Sequence, residues 1–107
     1  MRILVVDDVL DAADSTVELL TAWGYDATAC YSGASALECA RTRVPDAVIL
    51  DLAMPRMDGF QFTGIFRGLP QCKSIPIIAV SGYSGAGYFT HAMEIGIRHC
   101  LLKPINP

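Results

Sequence analysis

The chain has 107 residues, 52% of them hydrophobic and 18% charged, with a net charge of −3; this suits one folded domain over residues 1–107 and excludes a disordered chain. No apolar run approaches the roughly 18 residues of a membrane span. Met1 to Asp8 ends in two carboxylates where a signal peptide needs small residues, so a cytoplasmic, non-membrane location is expected. The eight Lys and Arg are scattered singly, so direct nucleic-acid binding by this segment is not expected.

Ile3-Leu4-Val5-Val6 is a short unbroken β-branched run, the pattern of a strand buried on both faces. From Asp11 to Trp23 the apolar residues Ala13, Val17, Leu20 and Trp23 fall at helical spacing, which places Trp23 on the apolar face, and Gly24 stops the helix. Ala27 to Tyr31 forms a second strand. Ser32-Gly33 punctuates it, and Ala34 to Arg43 is rich in helix formers. Pro45 precedes a third strand, Ala47 to Leu50. A weaker helix runs from about Phe60 to Arg67, and Pro76 opens a fourth strand, Ile77 to Val80. After a glycine-marked loop, Tyr88 to Ile95 is helical, and Cys100 to Leu102 is the fifth strand. This alternation calls for a parallel sheet with helices on both faces. Only four helices are expected before Asn106-Pro107, an N-cap type followed by a proline suited to N1. A fifth helix is expected to be cut short there, which would leave apolar sheet surface exposed.

Ligands of open parallel sheets bind beyond the carboxyl ends of the strands. Asp7 and Asp8 follow strand one, Asp51 follows strand three, Ser81 follows strand four and Lys103 follows strand five. Any one of these could be an ordinary cap or turn residue. Capping does not explain the set. Three carboxylates at roughly 4 Å repel by about 4 kcal/mol per pair at an effective dielectric near 20, and a cation relieves that cost. Carboxylates with water suit Mg²⁺, a lysine supplies a point charge for a phosphoryl group, and a carboxylate can attack phosphorus.

Val5-Val6-Asp7-Asp8, the run from Asp51 to Gly59, Val80-Ser81-Gly82 and Leu101-Leu102-Lys103-Pro104 together resemble the receiver domain of two-component response regulators, over the whole chain. The resemblance implies a flavodoxin-like, doubly wound parallel five-stranded sheet of order 2-1-3-4-5. It also implies phosphoryl transfer from the phosphohistidine of a histidine kinase or histidine phosphotransfer protein. Position by position, Asp51 matches the phospho-acceptor, Asp8 the direct metal carboxylate and Asp7 the second acidic residue. The backbone carbonyl of Ala53 matches a further ligand to Mg²⁺, with Mn²⁺ as a substitute. Ser81 matches the switch hydroxyl, Lys103 the lysine that clamps the phosphoryl group, and Pro104 the family's cis-proline. Such a domain catalyses its own phosphoryl transfer and dephosphorylation but does not turn over a free substrate. A fused output or kinase domain and a homodimer are expected as partners.

The chain departs from the family pattern at Cys100, where many receivers carry an aromatic residue that changes rotamer. Signal is therefore expected to pass through displacement of the segment from Ser81 to Tyr88. Ala53 and Tyr83 occupy positions that tune phosphoryl lifetime; with no side chain at Ala53 to orient water, slow self-dephosphorylation is expected. A haloacid dehalogenase-type phosphohydrolase would need an Asp where Ala53 stands. A phosphorylation-independent pseudo-receiver is the alternative reading, although no acidic residue or lysine is lost. His91 and His99 lack a carboxylate partner in sequence. Cys30, Cys39, Cys72 and Cys100 show no CxxC spacing and read as reduced, half-buried small hydrophobes.

Overall fold

The computed structural model describes residues 1–51, 59–81 and 99–102. In chain order the elements are β1 (Arg2–Val6), α1 (Leu10–Ala22), β2 (Asp26–Cys30), α2 (Gly33–Thr42), β3 (Ala47–Asp51) and α3 (Gly59–Gly68). A 3-10 turn at Pro70–Cys72, β4 (Ile77–Ser81) and β5 (His99–Leu102) complete the order. All strand pairs are parallel, and the sheet order is β2-β1-β3-β4-β5. The expected order is thus observed. The expected helix from Tyr88 to Ile95 and the helix start at Asn106-Pro107 lie outside the described residues.

The unbroken apolar runs are explained by which face each side chain serves. Successive strand residues point to opposite faces of a sheet. Leu4 and Val6 of β1, Val48 and Leu50 of β3, and Ile77 and Ala79 of β4 join one core layer. They meet Ala36, Leu37 and Ala40 of α2 and Phe62 and Phe66 of α3. Ile3, Val5 and Ala47 face the other way, onto Ala13 and Leu20 of α1. A central strand therefore needs apolar residues at every position, whereas β2, at the sheet edge, keeps Asp26 and Thr28 exposed. Phe62 and Phe66, one helical turn apart, stack with ring centroids 5.3 Å apart. Between them Thr63 is fully buried, and its hydroxyl donates to the Gly59 carbonyl at 2.8 Å.

Helix ends are set by specific groups. Ser32 caps α2, its hydroxyl accepting the Ser35 N–H at 3.1 Å. At the end of α1, Gly24 has φ +93°. The Gly24 N–H donates to Thr21 and the Tyr25 N–H to Leu20, both at 3.0 Å, the paired bonds of a Schellman turn. This turn corrects the reading of Trp23. The helix stops at Ala22, Trp23 sits at the C-cap, and it is 57% exposed, not part of the core. Cys30 and Cys72 are fully buried and Cys39 partly so, all three as free thiols.

Two of these local features bear on stability in measurable ways. A Cβ at Gly24 would meet nothing within 4 Å, so Gly24→Ala is expected to cost only the left-handed backbone penalty, about 1 kcal/mol. Urea denaturation should show a lower midpoint at unchanged slope. Burial, followed by the Cys39 side chain, pushes the Cys30 thiol up to about 12. Above pH ~9 the unfolded thiol loses its proton while the folded one keeps it, so the contribution is complete below that pH and falls as pH rises. Wild type should lose stability relative to Cys30→Ala as pH is raised from about 8 to 10.

Candidate functional site

The sheet order brings the three acidic positions to one edge. Val6 pairs with Leu50, so the chain leaving β1 at Asp7 and the last residue of β3, Asp51, emerge side by side. Oxygens of Asp7, Asp8 and Asp51 all lie within 4.8 Å of one another. Asp7 and Asp51 are 8% and 6% exposed, while Asp8 is partly exposed.

Each flank of the cluster is held by the backbone. The Asp7 N–H donates to the Cys30 carbonyl at 3.0 Å, extending the β1–β2 ladder by one residue. The Asp7 side chain accepts the Val9 N–H at 3.0 Å through Oδ1. That bond shapes the turn into α1, whose own N-cap, Val9, makes no side-chain cap. Just past β2, the Tyr31 hydroxyl donates to Asp14 Oδ1 of α1 at 2.6 Å. The neighbouring carboxylate raises the Tyr31 phenol above its ordinary pKa.

β4 and β5 continue the edge. Asp51 pairs with Val80, and Ser81, the last residue of β4, pairs with Leu102 of β5. Cys100 pairs with Ala79, and His99 with Ile78. Lys103 is the residue after β5 in sequence, and it lies outside the described residues with Ala53, Tyr83, His91 and Pro104. The carboxylates are therefore brought together, and Ser81 lies one register step beyond the Val80–Asp51 pair. No local pattern of residues points to Cys30 as the anchor of Asp7; only the β1–β2 register, Val6 opposite Cys30, exposes it.

The donor set suits a hard cation. Carboxylate oxygens about 5 Å apart repel by roughly 3.5 kcal/mol per pair at an effective dielectric near 20, and oxygen donors are what Mg²⁺ takes.

A doubly wound parallel domain with a carboxylate cluster beyond β1 and β3 is an architecture that hosts several functions, and here the sequence matches one family directly. The chain belongs to the response regulator receiver domain family, whose model matches residues 3–107. It is 34% identical over 105 residues to the response regulator PleD of Caulobacter vibrioides, covering 98% of this chain and 23% of that one. It is also 34% identical over 104 residues to the transcriptional regulatory protein ZraR of Escherichia coli, covering 97% and 23%. The chain thus spans about a quarter of the length of these two curated relatives. Among solved structures, the chemotaxis protein CheY4 of Vibrio cholerae superposes with a TM-score of 0.95 at 29% identity, covering 99% of this chain and 88% of that one. Receiver domains are signalling domains of two-component systems. Among the described residues, no helix is long and apolar enough to cross a membrane.

The crowding of the cluster has a measurable consequence without any ligand. Asp8→Asn removes one charge and should stabilise the metal-free protein by about 1 kcal/mol, below the Coulomb figure because Asp8 is partly solvated. In urea titrations, added Mg²⁺ should raise the stability of wild type more than that of the variant.

Proposed function

We propose that this domain accepts a phosphoryl group on Asp51 from the phosphohistidine of a histidine kinase or histidine phosphotransfer protein, in a Mg²⁺-dependent step, and so changes its contacts with a partner or output domain. The observation that carries this reading is the meeting of Asp7, Asp8 and Asp51 within 4.8 Å at the carboxyl edge of the sheet.

An oxygen of Asp51 attacks phosphorus, the O–P bond forms, the P–N bond to the donor imidazole breaks, and the imidazole nitrogen takes up a proton. Asp8, Asp7 and Asp51, with the Ala53 carbonyl, would hold Mg²⁺ (or Mn²⁺). A bound Mg²⁺ supplies charge neutralisation for the phosphoryl oxygens. Burial of Asp51 limits water at the acceptor, and Asp7, tied through its N–H and its Oδ1, keeps the carboxylates oriented toward one point. Ser81 donates a hydrogen bond to a phosphoryl oxygen, and Lys103 clamps the group by charge. Ala53 offers no side chain to orient attacking water and Tyr83 covers the site, so the acyl phosphate is long-lived. With Cys100 in place of a rotameric aromatic, the segment from Ser81 to Tyr88 carries the response. The domain works in the cytoplasm, alone or fused to an output or kinase domain.

Incubation with Mg²⁺ and acetyl phosphate or phosphoramidate, read by intact mass, is the test. A single phosphoryl adduct is expected on wild type, none on Asp51→Asn, and little on wild type in excess chelator. Absence of an adduct on wild type would instead favour a phosphorylation-independent pseudo-receiver. Ser81→Ala should uncouple phosphorylation from partner binding, while Cys100→Ala should leave the coupling intact.

A further inference from the structure

Cys30 and Cys39 are nine residues apart in sequence and occupy different elements, the last position of β2 and the middle of α2. The fold sets them side by side, with the Cys30 thiol donating toward Cys39 Sγ at 3.7 Å. The two thiols differ in access. Cys30 is 3% exposed and belongs to the core layer under α2 and α3. Cys39 is partly exposed and lines a cleft of about 370 Å³ between α2 and the β1–β2 edge, with Arg2, Leu4, Thr28 and Thr42. An outer thiol that a small oxidant can reach, in contact with an inner one that water does not reach, is the arrangement of an attacking and a resolving cysteine.

We propose that Cys39 and Cys30 form a reversible oxidation site, closing to a disulfide when the domain meets a peroxide. In the first step the Cys39 sulfur, as thiolate, attacks one oxygen of hydrogen peroxide. The O–O bond breaks, Cys39 becomes a sulfenic acid, and hydroxide leaves to be protonated to water. In the second step the Cys30 sulfur attacks Cys39 Sγ, the S–O bond breaks, and the Cys30 proton leaves with the hydroxyl as water. Two thiols and one peroxide thus give one disulfide and two waters, the thiols being oxidised and the peroxide reduced. The sulfurs must close from 3.7 Å to about 2.0 Å. No change in the order of the elements is needed.

The bond would staple α2 to the edge strand of the sheet and close the chain from Cys30 to Cys39 into a loop around the Ser32 cap. It would also fix the strand end whose Cys30 carbonyl holds the Asp7 N–H. Cys72, fully buried, takes no part.

The test uses the intact chain treated with hydrogen peroxide near neutral pH. Thiol titration should fall from four thiols per chain to two, and the mass should drop by two hydrogens, both reversed by dithiothreitol. Chymotryptic cleavage after Tyr31 separates the two cysteines, and non-reducing mapping should recover them as one linked peptide. The melting temperature of the oxidised form should rise by several degrees and return on reduction. Cys39→Ser, a change at a partly exposed position, should fold normally and lose thiols at least about tenfold more slowly. Recovery of Cys30 and Cys39 as separate peptides, accumulation of Cys39 as a sulfinic acid, or wild-type thiol loss in Cys39→Ser would each overturn the proposal.

Discussion

Two parallel strands that leave the core at the same level place their next residues in one small volume. Here those strands are β1 and β3, paired from Ile3–Ala47 to Val6–Leu50, and both continue into aspartate. The charge cluster is therefore a consequence of strand register, and its cost is carried by the apolar layers on either side. Leu4, Val6, Val48 and Leu50 bury against α2 and α3, while Ile3 and Val5 bury against α1. Each such side chain contributes roughly 1.5–3 kcal/mol by leaving water.

The ties at the edge are mostly main-chain. Asp7 is held by its N–H on the Cys30 carbonyl and by its Oδ1 on the Val9 N–H. Side-chain substitution at Cys30 or Val9 would leave both bonds available. Asp7 is thus both a member of the charge cluster and, through Oδ1, part of the frame that holds the turn into α1.

Much of this was legible in the residues. Strands buried on both faces leave unbroken apolar runs such as Ile3 to Val6; Asp7 directly succeeds that run with Asp8 behind it, and Asp51 closes the run of β3. Trp23 misled because helical spacing extends to it, whereas the helix ends one residue earlier, at a turn that needs the positive φ of Gly24. The start of α1 at Leu10 carried no N-cap signature, since Val9 cannot cap and the stabilising bond comes from Asp7 behind it. The meeting of Cys30 with Cys39 was invisible for a different reason. It depends on how α2 lies across the sheet, and no local spacing encodes that. The readings at Ala53, Tyr83 and Lys103 rest on motif alone.

One side chain helps to fix how the chain reaches β4, together with the buried Cys72 and the packed Leu69 and Ile75. The Arg67 guanidinium, near the end of α3, donates through Nη1 to the carbonyls of both Cys72 and Ile75, at 3.0 and 2.5 Å, and lies 6.0 Å from the centre of the Phe66 ring. Burial lowers its pKa from the ordinary arginine value, yet a guanidinium stays charged throughout the biological range. Surface connections in α/β domains usually accept insertions freely. This one is tied at Cys72 and Ile75 both by packing on the core and by the reach of one arginine, so its length is constrained at two points. Lengthening it by a residue would move Cys72 and Ile75 relative to the guanidinium that holds their carbonyls.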